Sequence, residues 1–354
     1  MTHPGSLESP VSPRERRRGR GAVGKGNQSM RVLVTGGGGF LGQNLARALL
    51  ARGGRAGEPD GRVALASLTL FDQAFPTERI ADQRVQYVTG DVLDRELLDR
   101  ACAAGVDAVF HLASVVSAGA EADFDLGMRV NVDGMRNVLE ICRGQPAPPR
   151  LVFPSSVAAF GGDLPEVVVD TTAPTPQSSY GTQKVIGELL VSDYTRKGFL
   201  DGRSVRLPTI VVRPGKPNRA ASGFMSSILR EPLKGETAVC PVPAEAHMWI
   251  ASPDRAVEML IHAMELPADA WGWNRTINGP GITVSVAEAL AALERIAGSE
   301  TVRRVRFEPD ATIAKIVLGW PVRFETARAY QLGFRRDAGI DEIIRAHLRE
   351  ATRP

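Results

Sequence analysis

The stretch Arg31-Val-Leu-Val-Thr35-Gly-Gly-Gly-Gly-Phe-Leu-Gly42 decides the fold. A short apolar run rich in β-branched residues enters a glycine loop, and the loop opens a helical stretch at Leu41–Leu50. Glycines at 36, 39 and 42 let the backbone turn tightly, approach a pyrophosphate and pack the helix against the strand. Phosphates held by Gly36, Gly39, Phe40, Leu41 and Gly42 would sit at the helix N-terminus, where free N–H groups and the helix dipole favour anions. Glycines also serve ordinary tight turns, so it is the strand–loop–helix context that points to a dinucleotide.

Outward from this unit, strands and helices alternate. Leu68–Asp72 reads as a second strand and Val85–Val88 as a third, with a helix behind it at Asp94–Ala104. Asp107–Leu112 is a fourth strand, followed by a long helix at about Asp125–Arg143. Leu151–Pro154, the helix Tyr180–Lys197 and a sixth strand at Ser204–Val212 complete the series. Such alternation predicts an α/β fold: a doubly wound parallel sheet (Rossmann) with helices on both faces, spanning residues 30–213. After Arg213 the rhythm breaks. Residues 214–247 contain five prolines and one short helical run, Phe224–Arg230. Helices follow at Asp254–Met264 and Val284–Ala297, the second with a Ser285/Glu288 capping-box pattern. Residues 214–354 should therefore form mainly a smaller C-terminal substrate-binding lobe, with 248–277 returning to the large sheet.

The net charge of +3 conceals an asymmetry. Within residues 1–30, six cations (Arg14, Arg16, Arg17, Arg18, Arg20, Lys25) face only Glu8 and Glu15, a balance of +4, which leaves −1 for the remaining 324 residues. A basic patch for nucleic acid would have to lie in that tail, and no nucleic-acid partner is expected for the folded body. The tail, residues 1–29, is rich in Pro, Gly, Ser and Arg and reads as disordered, without the apolar run of a secretory signal. Met30, directly before the first strand, offers an alternative start. No stretch approaches the ~20 continuous apolar residues of a membrane span, so no membrane partner is expected. Three scattered cysteines (Cys102, Cys142, Cys240) match no metal-ligand spacing and suit a reducing cytoplasm; no metal is expected.

Asp72 ends the second strand, where a carboxylate can accept hydrogen bonds from the adenosine ribose and would repel a 2′-phosphate. That favours NAD. Asp72 lies 30 residues after Gly42, against the usual ~20, and the polar insertion Arg52–Arg62 accounts for the excess. Asp91 and Val92 after the third strand, and Leu112, Ala113 and Ser114 after the fourth, fall at carboxyl ends, where ligands collect. His111 itself reads as a core histidine.

Tyr180-Gly-Thr-Gln-Lys184 sets a phenol and an ammonium on one helix face. A free phenol, with a pKa near 10, is too weak a base at neutral pH. A neighbouring Lys⁺ and an oxidised nicotinamide would stabilise the phenolate, so that Tyr180 takes a hydroxyl proton while hydride leaves the carbinol carbon. Ser155 and Ser156 end the fifth strand, and a hydroxyl there would orient the substrate oxygen.

Together these motifs resemble the extended short-chain dehydrogenase/reductase family, which includes UDP-sugar epimerases and dehydratases, from Met30 to the C-terminus. The resemblance implies a catalytic Ser156, Tyr180 and Lys184; Ser156 is chosen because it stands four residues before Phe160-Gly161, where relatives have Tyr-Gly. It further implies that Asn131, in Asn-Val-Asp-Gly, supports a proton-relay water beside the lysine and lies with Tyr180 and Lys184 at the cofactor. A homodimer through two long helices, one bearing Tyr180, is implied as well. Phe160 departs from the family's tyrosine.

The segment Arg213-Pro-Gly-Lys-Pro-Asn218, with Phe224-Met-Ser-Ser-Ile-Leu-Arg-Glu-Pro232, departs from the Arg-Tyr-Phe-Asn-Val-Tyr-Gly run of UDP-sugar epimerases. It resembles instead family members that oxidise C2 of a four-carbon sugar acid with NAD, which implies D-erythronate as substrate and 2-dehydro-D-erythronate as product. A small acid needs a cation for its carboxylate. Lys216 and Arg230 are candidates alongside the substrate contacts Ser114, Ser156 and Tyr180, although each cation also reads as ordinary surface charge. His247 reads either as a crevice residue or as lobe packing. A UDP-sugar 4-epimerase and a non-catalytic NAD-sensing regulator are the competing readings.

Overall fold

A computed structural model describes residues 29–52, 64–215 and 221–351. Residues 1–28, most of the insertion after Arg52, and Lys216 lie outside the described residues. Twelve strands are described: β1 (Met30–Thr35), β2 (Leu65–Asp72), β3 (Val85–Thr89), β4 (Ala108–His111), β5 (Arg150–Ser156), β6 (Asp201–Leu207), β7 (Thr209–Ile210), β8 (Ala238–Cys240), β9 (His247–Ala251), β10 (Thr276–Asn278), β11 (Ile282–Ser285) and β12 (Val305–Phe307). Seven form one sheet in the order β10-β6-β5-β4-β1-β2-β3. Every pairing in it is parallel.

The strands of this sheet are covered on both faces. Val32 and Val34 point into one core layer with Leu45, Leu49, Leu68, Leu70 and Leu260, while Leu33 points into the other with Phe71, Leu98, Val109, Leu139 and Val191. That double burial is why β1 reads as an apolar run rather than an alternating one. The strand order reverses between β1 and β4, which pair through Thr35 and His111. A crevice opens at the carboxyl ends of such a switch point, and here the glycine loop and Leu112–Ser114 flank it.

The remaining strands build a second layer. A three-stranded sheet, β11-β9-β7, and the pair β12-β8 surround a separate core containing Phe224, Met225, Ile228, Leu293, Ile343 and Ile344. The Pro253–Glu265 helix leaves this layer and packs on the large sheet, which Thr276–Asn278 extends beside β6.

Three local expectations change. The run Ser204–Val212 is not one strand. Pro208 has no N–H to donate, so β6 stops at Leu207 and Thr209–Ile210 pairs with β9 in the small sheet. The long helix after β4 carries a π turn at Arg129–Asp133, between Phe124–Met128 and Gly134–Arg143. Val284 and Ser285 belong to β11, and the helix begins at Val286. Its capping box is present: Glu288 N–H donates to Ser285 Oγ at 3.1 Å and Ser285 N–H donates to Glu288 Oε2 at 2.7 Å.

Candidate active site

The glycine loop turns where no side chain fits. Gly36 has φ +72°, and a Cβ there would lie 2.6 Å from the Ala113 nitrogen across the switch point. Gly39 differs: a Cβ would meet only the Gly36 carbonyl, at 3.4 Å, because that side of the loop faces a cavity. The Phe40–Arg52 helix starts here with no acidic residue in its first turn, leaving its N-terminus open to an anion. Asp72 Oδ2 accepts from Gly38 N–H at 2.9 Å, so the carboxylate at the end of β2 also braces the loop.

A cavity of about 1300 Å³ runs from this loop to the end of β5 and the start of the Ser179–Arg196 helix. Gly36, Gly39, Phe40, Leu41, Gly42, Asp72 and Val92 line it, as do Leu112, Ala113, Ser114, Ser156, Tyr180 and Lys184. A side-chain-free phosphate cradle, a carboxylate at the second strand and an elongated cavity leading to the phenol fit NAD.

Tyr180 stands in the first turn of its helix, which Ser178 caps by accepting from Gly181 N–H at 3.2 Å. A Cβ at Gly181 would lie 2.1 Å from the Ala158 carbonyl. Only glycine lets the helix start this close to the end of β5. One turn later Lys184 is buried, and its Nζ donates to the Pro154 carbonyl at 2.9 Å. The same ammonium lies 5.4 Å from the Tyr180 ring centroid and 4.7 Å from that of Phe153. Burial pulls Lys184 down to about 8, against the opposing charge of Glu188. Burial pushes the Tyr180 phenol up to about 12, and Arg213 acts in the opposite direction.

The two serines at the end of β5 are distinguished by their partners. Ser155 is buried and donates to Glu188, which Arg206 grips through Nε at 2.8 Å and Nη2 at 2.7 Å. Ser156 accepts from Ala158 N–H at 3.1 Å and lines the cavity with its hydroxyl proton uncommitted among the described residues.

Several expected site residues are placed elsewhere. Asn131 sits behind the cavity wall, in the π turn: its Oδ1 accepts from Ser114 Oγ at 2.9 Å and Val115 N–H at 2.8 Å. Its amide donates to the Val115 carbonyl at 2.9 Å and to Gln183 Oε1 at 2.7 Å. With both donors engaged, the side chain ties the Ser114 turn to the Tyr180 helix. Asp91 does not line the cavity; it accepts from Gln73 Nε2 at 2.8 Å and Leu93 N–H at 2.9 Å.

Arg230 is 3% exposed and does not reach the cavity. Glu231, the Ser227 hydroxyl and the Arg213 carbonyl take up its guanidinium, because its helix turns that side chain into the lobe core. His247 is exposed at the start of β9 and does not line the cavity either. Besides Lys184, two cations line it, Arg213 and Lys315, neither of which the sequence pattern singled out; Arg213 is the one at the Tyr180 phenol. It follows the Pro208 break, whose effect on direction is visible only after folding.

His111 is a buried core histidine: Thr35 Oγ1 lies 2.7 Å from its Nδ1, and its ring stacks on Phe153 with centroids 6.1 Å apart. Burial, with a smaller contribution from Lys184, pulls it down to about 3. The unfolded chain therefore binds one more proton than the folded one between about pH 6.5 and 3, so His111 makes stability fall as pH drops through that window. Between pH 6.5 and 4.5 the loss should be roughly 2–3 kcal/mol by linkage. Urea unfolding at those two pH values checks it, and a His111→Gln variant that declines just as steeply would refute it.

Among the described residues no cluster could hold a metal and no helix is long and apolar enough to cross a membrane. Residues 32–269 match the NAD dependent epimerase/dehydratase family. The chain is 52% identical over 324 residues to D-erythronate dehydrogenase of Cupriavidus necator, covering 91% of this chain and 99% of that one. Against D-erythronate dehydrogenase of Haemophilus influenzae, identity is 46% over 90% of this chain and 99% of the relative. Among solved structures, a nucleoside-diphosphate-sugar epimerase from Agrobacterium tumefaciens superimposes with a TM-score of 0.85 at 40% identity, covering 94% of this chain and 98% of the other. A GalE-like L-threonine dehydrogenase from Cupriavidus necator, in holo form, superimposes with a TM-score of 0.78 at 26% identity, over 91% of this chain and 100% of that one.

Proposed function

The chain belongs to the NAD dependent epimerase/dehydratase family, and we propose that within it the protein oxidises D-erythronate at C2 to 2-dehydro-D-erythronate. The observation that carries this reading is the single cavity lined by the glycine loop, Ser156, Tyr180 and Lys184. NAD, held along Gly36–Gly42 and Asp72, supplies the hydride acceptor. Tyr180 takes the proton of the C2 hydroxyl. Lys184, fixed by the Pro154 carbonyl, favours the phenolate from one turn away. Ser156 hydrogen-bonds the reacting oxygen and sets its angle to Tyr180. Ser114, held by Asn131, borders the substrate end of the same space.

Residues 30–213 form the cofactor-binding part in this reading, and those after 213 mainly the substrate lobe. Buried Cys102, Cys142 and Cys240, all free thiols, support a cytoplasmic setting. Phe124, 59% exposed, and Leu189, 66% exposed, lie on helices that face outward and support a homodimer through them.

A second reading, sugar-nucleotide 4-epimerisation, draws on the likeness to the Agrobacterium structure. Both chemistries begin by removing the same proton and hydride; they differ in whether the oxidised product leaves. Incubation with excess NAD and D-erythronate separates them through NADH absorbance. Accumulating NADH supports the dehydrogenase. No NADH, together with UDP-glucose turning into UDP-galactose, would replace it with the epimerase. A protein that binds NAD and is inert to both would be a sensor instead.

A further inference from the structure

Arg213 is mounted more firmly than a surface cation needs to be. Its N–H donates to Ser226 Oγ at 3.1 Å and its carbonyl accepts from Arg230 Nη1, so the Gly223–Leu233 helix holds the main chain from both sides. Its Nη2 donates to Ser222 Oγ at 3.1 Å, and Ser222 lines the same cavity. Arg230 behind it is already neutralised by Glu231. Among the described residues no carboxylate pairs with Arg213 itself. A guanidinium has five N–H donors, and removing it from water without an anionic partner is costly. The cavity thus presents a rigid fork whose missing partner is an anion.

Resting on the oxidation proposed above, we infer that Arg213 is the anchor for the substrate carboxylate and that Ser222 sets the orientation of its fork. C2 of such an acid bears both the carboxylate and the reacting hydroxyl. The anchor must therefore stand close to the base, and Arg213 is near enough to Tyr180 for its charge to favour the phenolate. Anchoring at Arg213 leaves the C2 hydroxyl facing Tyr180 and Ser156, whereas Arg230 lies too deep to serve.

Binding can be measured apart from turnover in a Tyr180→Phe background loaded with NAD, by calorimetry with D-erythronate and with erythritol, the neutral polyol of equal chain length. Adding Arg213→Gln should weaken D-erythronate binding roughly 100-fold, as expected for truncating one member of a desolvated charge pair. Erythritol affinity, NAD affinity and the melting temperature should barely move. Arg213→Lys should fall between, since an ammonium keeps the charge and loses the fork; it decides the matter should the glutamine variant fail to bind NAD.

Equal D-erythronate affinity with and without Arg213 overturns the anchor, whatever the wild-type enzyme turns over. Binding that depends on Arg213, without NADH formation by the wild type, keeps the anchor and rejects the oxidation. Binding of UDP-glucose alone rejects both.

Discussion

Tyr180→Phe should lower turnover of D-erythronate roughly 1000-fold while leaving NAD affinity and the melting temperature unchanged, the scale expected for loss of a positioned general base. The ring stays, so its contact with the Lys184 ammonium and the packing at the helix start are retained. Only the proton acceptor goes. The pH dependence gives a second readout. Burial holds the Tyr180 phenol near 12 in the cofactor-free protein, so the basic form is scarce at neutral pH and the rate should climb with pH. Arg213 opposes that rise, and in the proposed mechanism Lys184 and an oxidised nicotinamide would bring the phenol further down toward the working range. Arg213→Gln should accordingly move the ascending limb of kcat to higher pH, and the Tyr180→Phe variant should show no such limb. A phenylalanine variant that keeps wild-type turnover would remove Tyr180 from the chemistry.

Gly36→Ala should lose about 3 kcal/mol of stability, combining left-handed backbone strain with overpacking at the switch point. The φ of +72° disfavours any L side chain, and the new Cβ would press on the Ala113 nitrogen at 2.6 Å. Because Ala113 also lines the cofactor cavity, NAD affinity should fall with stability. Gly39→Ala makes the contrasting case. Its Cβ meets the protein only at 3.4 Å and projects into the cradle, so it should weaken NAD binding while leaving the melting temperature nearly unchanged. Thermal melts and calorimetric NAD titrations of the pair check this. A Gly36→Ala protein as stable as wild type would show that the loop can relax, contrary to the geometry.

Much of this was legible in the residues because the physics is local. The β1–loop–helix unit, the apolar runs of a sheet covered on both faces, the Asp72 carboxylate at a strand end and the one-turn spacing of Tyr180 and Lys184 depend on neighbours a few positions away. Those features determined the fold class and the cofactor, and they supply the base proposed above. The small-acid substrate came from resemblance, not from spacing.

What the tertiary structure decided depends on contacts across tens of residues. Both serines border the cavity, but Ser156 rather than Ser155 keeps its hydroxyl proton uncommitted among the described residues, because Glu188, gripped by Arg206 from another strand, engages Ser155. Asn131 became a brace because Gln183 and the Ser114 turn engage both ends of its amide. Arg213 lines the cavity and Arg230 does not, because Pro208 ends one sheet and starts the chain toward another, and because Arg230 turns into the lobe core to pair with Glu231. A cation's partner is set by where its carboxylate lies in space. For Arg213 that position exists only once two sheets and the Gly223–Leu233 helix have come together.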